Sequence, residues 1–465
     1  MNNTYADLID QTFDFPTQSL ELKDNRLHFH GIDIPALMEK YGSPLKVYYL
    51  PSIGEKINEA RTLFRDAIRS LKYKGKYHFA YCTKASHFHF VMREVLAAGA
   101  LLETSSAYDL DLVRHLHAKG RLKKKNLLIH NGYKPKNYLD AILGLAADGF
   151  NSLPIIDNPT EFSYLAEQLP ADGTMNIGLR IATEEEPKFE FYTSRLGIRT
   201  ADVKRFYTNS IETDSRFVLR MLHFFVDTGI QDTSYYWNEL RKAVRAYAQL
   251  RKKCPTLTSL NIGGGLPIQN GLGDDYDYPY LIREIVRQVQ DTCRREGVPQ
   301  PDLYSEFGKF TVGESGATLF EVIGQKQQND SELWYMIDNS LMTALPDTWG
   351  ISERFILLPV DNWEGPPVRV NIGGLTCDNS DFYNAESHGG QVYLPKFDSK
   401  KKRLRLGFFH TGAYQDALSG YGGIRHCLIP AMKRVLIAQD DEGNLRDWLD
   451  APEQTSAEMM KLLGY

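Results

Sequence analysis

Residues 77–86 read Tyr-His-Phe-Ala-Tyr-Cys-Thr-Lys-Ala-Ser, an apolar, aromatic-rich run that leads directly to a lysine. The run Tyr77–Cys82 predicts a buried strand. Lys84 comes just past the end of this strand, so we expect its side chain to project into a site. Burial lowers the pKa of a lysine and makes its amine available for a Schiff base. The alternative is a strand-end lysine whose amine reaches water.

An alternation of strands and helices extends from this run to about Phe310. We predict eight strands, at Tyr77–Cys82, Leu101–Ser105, Asn126–His130, Leu153–Asp157, Asn176–Ile181, Met221–Val226, Ser259–Gly263 and Asp302–Phe307. The segments between them predict helices at Phe88–Ala98, Ala107–Ala118, Pro135–Ala147, Pro159–Gln168, Tyr235–Lys252 and Pro279–Arg295. Such strands pair in parallel through right-handed crossovers. Eight of these units predict an α/β fold of the (β/α)8 barrel type, with a doubly wound open sheet as the alternative.

The ends of the predicted strands favour the barrel. Nearly every strand finishes in polar residues or glycine, at Cys82-Thr-Lys84, Glu103-Thr-Ser-Ser106, His130-Asn-Gly132, Asp157-Asn158, Arg180, His223, Gly263-Gly-Gly265 and Glu306-Phe-Gly308. In barrels of this type, chemistry collects at the C-terminal ends of the strands. The pattern therefore predicts a site at that end.

After Phe310 the helical periodicity fades, and short β-rich runs predict a second, mainly β domain. These runs are Leu319–Ile323, Phe355–Pro359, Val368–Ile372, Gln391–Tyr393 and Leu404–Phe408, with a closing helix near Ser456–Leu463. A predicted strand at Leu27–Ile34 joins the same domain. We therefore divide the chain into an N-terminal segment of the β domain (1–44), the barrel (45–310) and the C-terminal β domain (311–465).

Composition excludes several classes of protein. The 465 residues carry a formal net charge of −5 and are 42% hydrophobic, which indicates a globular core and no nucleic-acid partner. The five cysteines are widely spaced and form no CxxC pair, so we predict free thiols, no disulfide framework and no metal site. The N-terminus lacks the features of a signal peptide, and no apolar stretch reaches the ~20 residues that span a bilayer. We expect a cytoplasmic protein with no membrane partner.

Three strand-end features of the barrel suggest a cofactor that carries a phosphate and a ring. The backbone of Gly263, Gly264 and Gly265 can approach an anion closely, although three glycines can also form a plain turn. Glu306 can pair with a protonated ring nitrogen, or form a salt bridge to an Arg or Lys. His223 can lie flat on a cofactor ring, or be a hydrogen-bonded core residue.

The predicted β domain contributes three further candidates. Cys377 can act as a general acid, and Asp378 as a counterion for a cationic substrate. Tyr414, in His410-Thr-Gly-Ala-Tyr414, can offer its hydroxyl to a phosphate or serve as a structural aromatic.

Taken together, these residues resemble the fold-type III decarboxylases that use pyridoxal 5'-phosphate (PLP), a family that joins an alanine-racemase-like barrel to a β domain. The likeness covers about Leu27 to Ile429, and its markers come in the order of the family. They are Tyr81-Cys-Thr-Lys84, His223, Gly263–Gly265, Glu306-Phe-Gly-Lys309, Cys377-Asp378 and Tyr414. Phe307 and Lys309 stand where the family usually has Pro and Arg.

The resemblance implies a role for each marker. Lys84, His223, Gly263, Gly264, Gly265, Glu306, Gly308, Lys309 and Tyr414 would bind PLP. The catalytic residues would be Lys84, Cys377, His223 and Glu306, while Asp378 and Cys377 would contact the substrate. The resemblance also implies a homodimer in which Cys377 and Asp378 reach the site of the partner subunit.

Three further stretches resemble biosynthetic arginine decarboxylases, namely His130-Asn-Gly-Tyr-Lys134, Leu345-Pro-Asp-Thr-Trp-Gly350 and His410-Thr-Gly-Ala-Tyr-Gln415. The implied reaction is decarboxylation of a basic L-amino acid, with arginine giving agmatine for polyamine biosynthesis. The alternatives are an ornithine, lysine or diaminopimelate decarboxylase, a racemase, and a non-catalytic homologue that binds a partner protein.

Overall fold

The computed structural model describes residues 4–184, 193–385 and 390–465. The chain divides into two compact units. The barrel unit comprises Ile53–Pro267 and Asp277–Thr311. The β unit comprises Met1–Ser52, Ile268–Tyr276 and Val312–Tyr465.

The barrel unit contains a closed ring of eight parallel strands. In order these are Tyr77–Cys82, Leu101–Thr104, Leu128–His130, Ser152–Ile156, Met175–Ala182, Phe217–His223, Ser259–Asn261 and Asp302–Glu306. Each strand pairs with its successor, and the ring closes where Leu303 of the eighth strand pairs with Tyr77 of the first. Closure confirms the predicted (β/α)8 barrel and excludes the open sheet.

Helices surround these strands. They span Pro51–Leu71, His89–Ala97, Ala107–Ala118, Lys136–Ala147, Pro159–Gln168, Thr200–Phe206, Ser234–Arg251, Tyr278–Glu296 and Lys309–Val312. All six predicted helices are present. The long helix Pro51–Leu71 was not predicted, although Ile53, Ile57 and Phe64 repeat with helical spacing and are fully buried. Within the described ranges, no helix is long and apolar enough to cross a membrane.

Apolar side chains from the first, third, fourth and sixth strands pack together in the barrel unit. Ala80, Ile129, Leu153, Ile155 and Met221 form one buried cluster. A Cβ at Gly178, on the fifth strand, would lie 2.4 Å from the Cδ1 atom of Ile155. Glycine at this position therefore allows neighbouring strands to pack at the density of a protein interior.

The β unit contains two sheets. The three-stranded sheet is formed by Leu20–Lys23, Arg26–Phe29 and Ile32–Asp33. The ten-stranded sheet is formed by Leu45–Tyr49, Gly316–Asn329, Glu332–Ile337, Ile356–Pro359, Pro367–Gly373, Phe382–Tyr383, Val392–Pro395, Arg405–Phe409, Lys433–Gln439 and Leu445–Ala451. Helices of this unit span Tyr5–Thr12, Ile34–Tyr41, Leu341–Ala344, Pro346–Gly350, Gln415–Leu418 and Ser456–Leu463. The β-rich second domain and its closing helix are as predicted. The strands at 20–23, 332–337, 382–383, 433–439 and 445–451 were missed, and the predicted strand Leu27–Ile34 is an antiparallel pair of short strands, Arg26–Phe29 and Ile32–Asp33.

The predicted boundary at residue 45 requires a correction. The strand Leu45–Tyr49 lies within the sheet of the β unit, antiparallel to Gly316–Asn329 and parallel to Lys433–Gln439. All five of its residues are buried, and it needs hydrogen bonds on both sides. The segment Ile268–Tyr276 also belongs to the β unit, where the carbonyl of Gln269 accepts a hydrogen bond from His410 Nδ1 at 2.6 Å.

A buried ion pair joins the loop after the third barrel strand to the helix Pro159–Gln168, which follows the fourth strand. Lys134 Nζ lies 3.0 Å from Glu161 Oε2, and the two side chains are 0% and 2% exposed. The ammonium also donates to the carbonyls of Gly132 and Ile155. Burial lowers the pKa of Lys134, and the attraction of Glu161 opposes this shift. The attraction between the two charges and the hydrogen bonds to the carbonyls therefore have to compensate for the hydration that both groups lose on burial.

We expect Lys134→Ala to lower the free energy of unfolding by about 3–5 kcal/mol, because it leaves a buried carboxylate without its counterion. The matched control is Lys252→Ala. Lys252 lies 2.8 Å from Glu296, but the two side chains are 49% and 37% exposed. Loss of such a surface pair costs roughly 0–1 kcal/mol. Urea denaturation followed by circular dichroism measures both variants, and equal losses would contradict the expectation.

Candidate active site

A buried hydrogen-bond network occupies the C-terminal end of the barrel strands. Glu306, His223 and Asn261 each end a strand, and Asn131 directly follows another. Glu306 Oε2 accepts hydrogen bonds from His223 Nε2 and Asn131 Nδ2, both at 3.1 Å. Glu306 Oε1 accepts one from Asn261 Nδ2 at 2.6 Å. Four strands of the barrel thus converge on one carboxylate.

The network keeps Glu306 charged and His223 neutral. Burial acts to raise the pKa of Glu306, but His223, Asn261 and Arg180 outweigh it, and the pKa is lowered. Burial lowers the pKa of His223, while Glu306 acts in the opposite direction. Because a carboxylate can only accept, the Nε2 atom of His223 carries the proton, and Nδ1 is left as an acceptor. Nδ1 is buried without a hydrogen-bond partner in the described part of the chain.

A second buried carboxyl, Glu103 on the second strand, is protonated and neutral, unlike Glu306. Burial, followed by repulsion from Glu306, raises its pKa to about 8. The positive charge of Lys84 acts in the opposite direction. At neutral pH the site therefore contains one charged and one protonated carboxyl, a division typical of sites that handle protons.

Arg180, on the fifth strand, is a buried cation beside these carboxyls. It is 7% exposed, and burial lowers its pKa against the attraction of Asp157, Glu306 and Glu103. Its Nε atom is buried, and within the residues described it has no hydrogen-bond partner. The guanidinium therefore has donor capacity that the protein itself does not fully use.

Lys84 lies at the same end of the barrel, in the short turn Thr83–Ala85 that follows the first strand. The residue is exposed, which differs from the predicted burial. The turn carries it beyond Cys82, the last residue of the buried strand. Its charge still acts on Cys82 and Glu103, whose pKa values it lowers in part. Lys84 is thus accessible next to the buried acidic cluster.

The glycine loop, Gly263–Gly265, has no room for a side chain at any of its three positions. A Cβ would lie 2.8 Å from the Phe224 carbonyl oxygen at Gly263, 2.7 Å from the Glu306 carbonyl oxygen at Gly264, and 2.7 Å from Gly229 Cα at Gly265. The N–H of Gly263 donates to Asn261 Oδ1 at 2.9 Å, which fixes the loop to the end of the seventh strand. The loop therefore presents backbone beside the acidic network.

The stretch Glu306–Lys309 packs against the turn that carries Lys84. A Cβ at Gly308 would lie 2.9 Å from Ala85 Cβ, so glycine is needed for this approach. Phe307 is fully buried, with ring-centroid distances of 6.0 Å to Phe79 and 5.9 Å to Phe310. Phenylalanine at this position is explained by an aromatic core. Lys309 is half-buried and begins the helix Lys309–Val312.

The remaining predicted site residues belong to the β unit. Cys377 and Asp378 are exposed, in the loop between the strands Pro367–Gly373 and Phe382–Tyr383. A hydrogen bond with the thiol of Cys427 raises the pKa of Cys377. Tyr414 is half-buried and directly precedes the helix Gln415–Leu418. The other predicted residues lie in the barrel unit, where His223, Glu306 and the glycine loop adjoin one another.

Four residues of the network had no assigned role in the sequence analysis: Asn131, Asn261, Arg180 and Glu103. Each lies on or next to the C-terminal end of a barrel strand, which was the available signal. Asn131, Arg180 and Glu103 had been noted there as polar strand ends. Asn261 was hidden inside an apolar strand pattern.

A family model described as pyridoxal-dependent decarboxylase, pyridoxal binding domain, matches residues 55–313. The match covers more than half of the sequence, and the chain belongs to this family of PLP-dependent decarboxylases. The resemblance predicted from the motifs is thereby confirmed.

Relatives and solved structures agree with the family. The biosynthetic arginine decarboxylase of Rhodopirellula baltica is 24% identical over 371 residues, covering 76% of this chain and 54% of the relative. The crystal structure of the biosynthetic arginine decarboxylase of Campylobacter jejuni aligns with a TM-score of 0.80 at 18% identity, over 99% of this chain and 90% of that one. A diaminopimelate decarboxylase from M. jannaschi aligns with a TM-score of 0.75 at 19% identity, over 95% and 97%. The chain thus spans about half the length of the first relative, and the solved structures share its fold.

The residues at the barrel end fit PLP. A charged, buried Glu306 matches a protonated ring nitrogen, and the backbone N–H groups of a glycine loop match a phosphate. The buried Nε atom of Arg180 and the Nδ1 atom of His223, which have no partner within the residues described, offer further polar contacts.

The raised pKa of Glu103 predicts a specific pH dependence. Unfolding returns this carboxyl to its ordinary pKa of 4.5, so between pH 5 and 8 the folded protein binds more protons than the unfolded chain. Relative to Glu103→Gln, the wild-type free energy of unfolding should fall by about 1.4 kcal/mol per pH unit across this range, then level off. Urea titrations of both proteins at several pH values measure the difference, and parallel curves would refute the raised pKa.

Proposed function

We propose that this chain is a PLP-dependent decarboxylase of basic L-amino acids, and that arginine, converted to agmatine and carbon dioxide, is its preferred substrate. The observation that carries the proposal is the buried, charged Glu306 held by His223, Asn131 and Asn261 beside an accessible lysine. The family match supplies the cofactor and the reaction class. The relatives that are named arginine decarboxylase favour arginine as the substrate.

The barrel unit would hold the cofactor. Lys84 would bind its aldehyde carbon, and Glu306 its ring nitrogen. His223 would lie against the ring, with its orientation set by the hydrogen bond to Glu306 at 3.1 Å. Bound PLP supplies an electron sink for the charge left on the α-carbon when carbon dioxide departs.

The phosphate would lie at the glycine loop, bound by backbone groups of Gly263, Gly264 and Gly265. The N–H of Gly263 is already used by Asn261, which leaves Gly264 and Gly265 as the expected amide donors. Gly308 gives close backbone approach, Lys309 adds a positive point charge, and Tyr414 offers a hydroxyl.

Cys377 would return a proton to the α-carbon after carbon dioxide is lost. Its hydrogen bond with Cys427 raises its pKa, so the thiol keeps its proton at neutral pH. Asp378, next in the sequence, would bind the cationic end of the substrate. Its Oδ1 atom accepts a hydrogen bond from the N–H of Ser380 at 2.7 Å, which orients the carboxylate within its loop.

We further propose a homodimer in which Cys377 and Asp378 complete the site of the partner subunit, as the resemblance implies. The five cysteines are free thiols, which suits the reducing conditions of the cytoplasm. Agmatine formed there would enter polyamine biosynthesis.

An amino-acid panel tests the proposal. We expect release of carbon dioxide from arginine with kcat/KM roughly 10-fold or more above that for ornithine, lysine or diaminopimelate, because a site built for one side-chain length discriminates against others. The matched control is Lys84→Arg, which keeps the positive charge but should lose both turnover and the visible absorbance of bound PLP. Faster turnover of another amino acid would reassign the substrate. PLP binding without turnover of any amino acid would favour a partner-binding homologue.

Replacing Cys377 tests its role as the proton donor. We expect Cys377→Ala to slow agmatine formation by roughly 10²–10⁴-fold, the usual contribution of a general acid, while the PLP absorbance is retained. Cys293→Ala is the control, because Cys293 is a buried thiol in the helix Tyr278–Glu296. Full turnover by Cys377→Ala would exclude the residue as the donor.

A further inference from the structure

Three side chains that can ligate a metal converge on the surface of the β unit. The ligand atoms of Cys377, His426 and Cys427 all lie within 4.8 Å of one another. The Sγ atoms of the two cysteines are 3.5 Å apart, although 50 residues separate them in the sequence. All three residues are exposed in the single chain.

We propose that Cys377, His426 and Cys427 form a binding site for Zn²⁺. Two thiolates and an imidazole are the ligands that this ion prefers. In a tetrahedral site with Zn–S bonds of ~2.3 Å, the two sulfur atoms lie about 3.8 Å apart. The observed separation of 3.5 Å is close to this value, so little movement is needed to bind the ion.

The charges and the protons balance when Zn²⁺ binds to these three side chains. The two thiols release one proton each to solvent, and the imidazole binds through an unprotonated ring nitrogen. Two thiolates neutralise the doubly charged ion. The three protein ligands leave the fourth tetrahedral position to a water molecule or to another small ligand.

Hydrogen bonds donated to a buried carboxylate hold the loop that carries Cys377. Asp381 is 4% exposed, and its Oδ2 atom accepts hydrogen bonds from the N–H and the hydroxyl of Thr376, at 3.0 and 2.7 Å. Its Oδ1 atom accepts from Ser340 Oγ and from the N–H of Leu341, at 3.1 and 2.8 Å. Thr376, the residue before Cys377, is therefore held by a carboxylate that Ser340 and Leu341 in turn hold in place.

The turn that carries the other two ligands is bracketed by Gln454. The amide Nε2 of this residue donates to the carbonyl of Gly423, and its Oε1 accepts from the N–H of Ala431, both at 3.2 Å. Within the turn, Cys427 has a φ of 53°, a left-handed conformation that is unfavourable for a residue other than glycine. Such conformations occur where the surroundings hold them, often at functional sites. Both loops thus present their ligands from fixed positions.

A bound Zn²⁺ ion would also inhibit the proposed decarboxylation. A thiolate bound to Zn²⁺ has lost the proton that Cys377 is proposed to deliver. Zinc binding and decarboxylation therefore compete for one sulfur atom, which makes Zn²⁺ a reversible inhibitor. The inhibition depends on the proposed function, whereas the binding site itself does not.

Cobalt substitution tests the site without reference to activity. Co²⁺ added to the full-length protein, with the thiols kept reduced by a phosphine, should produce a thiolate-to-cobalt charge-transfer band and the visible bands of tetrahedral cobalt, saturating at one ion per chain. Zn²⁺ should displace the cobalt and abolish the bands. The other three cysteines are buried, so the thiolate band reports on Cys377 and Cys427.

Two variants and one control complete the experiment. Cys427→Ser and His426→Gln should each weaken cobalt binding by roughly tenfold or more, because each removes one of three ligands. Cys254→Ser, which alters a buried thiol of the barrel unit, should bind as the wild type does. Wild-type protein without the thiolate band, or Cys427→Ser with an undiminished band, would overturn the proposal. If the band is present but Zn²⁺ does not slow decarboxylation, the site stands and the proton-donor role of Cys377 is rejected.

Discussion

The buried charge of Glu306 is the constraint on which the site depends. A carboxylate removed from water is costly unless hydrogen-bond donors surround it. Its donors come from three other strand ends, through His223, Asn131 and Asn261, so the charge can be maintained only when those strands are in register. Burial raises the pKa of Glu103, and the charge of Glu306 adds to this shift. The same charge attracts Arg180. The register of the barrel strands, the protonation of Glu103 and the charge environment of Arg180 are thus linked through the side chain of Glu306.

The barrel could be predicted from the sequence because each of its strands is a short buried run with a polar or glycine end. All eight strands and all six predicted helices are present, with ends that differ by a few residues. The helix Pro51–Leu71 was missed although its buried face repeats regularly. The place of the strand Leu45–Tyr49 in the β unit was not predicted, because its partners are more than 250 residues away in the sequence.

The motifs of the candidate site could be predicted from the sequence, but the contacts between its side chains could not. Lys84, His223 and Glu306 were found because their residue types at strand ends suggest chemistry. Asn131 and Asn261 were not, since asparagine has no distinct signal and its role here comes from its distance to Glu306. The approach of Cys377 to Cys427 could not be predicted either, because it depends on two loops that only the folded β unit brings together.

The pairing of Leu45–Tyr49 with Lys433–Gln439 has a consequence for biosynthesis. These strands are far apart in the sequence, but they are hydrogen-bonded neighbours in the ten-stranded sheet. During translation the strand Leu45–Tyr49 must wait for this partner until residues 433–439 have left the ribosome. The barrel unit, whose strands pair mostly with sequence neighbours, can fold earlier. Until then a nascent chain exposes an unpaired strand edge, which is the state that molecular chaperones protect.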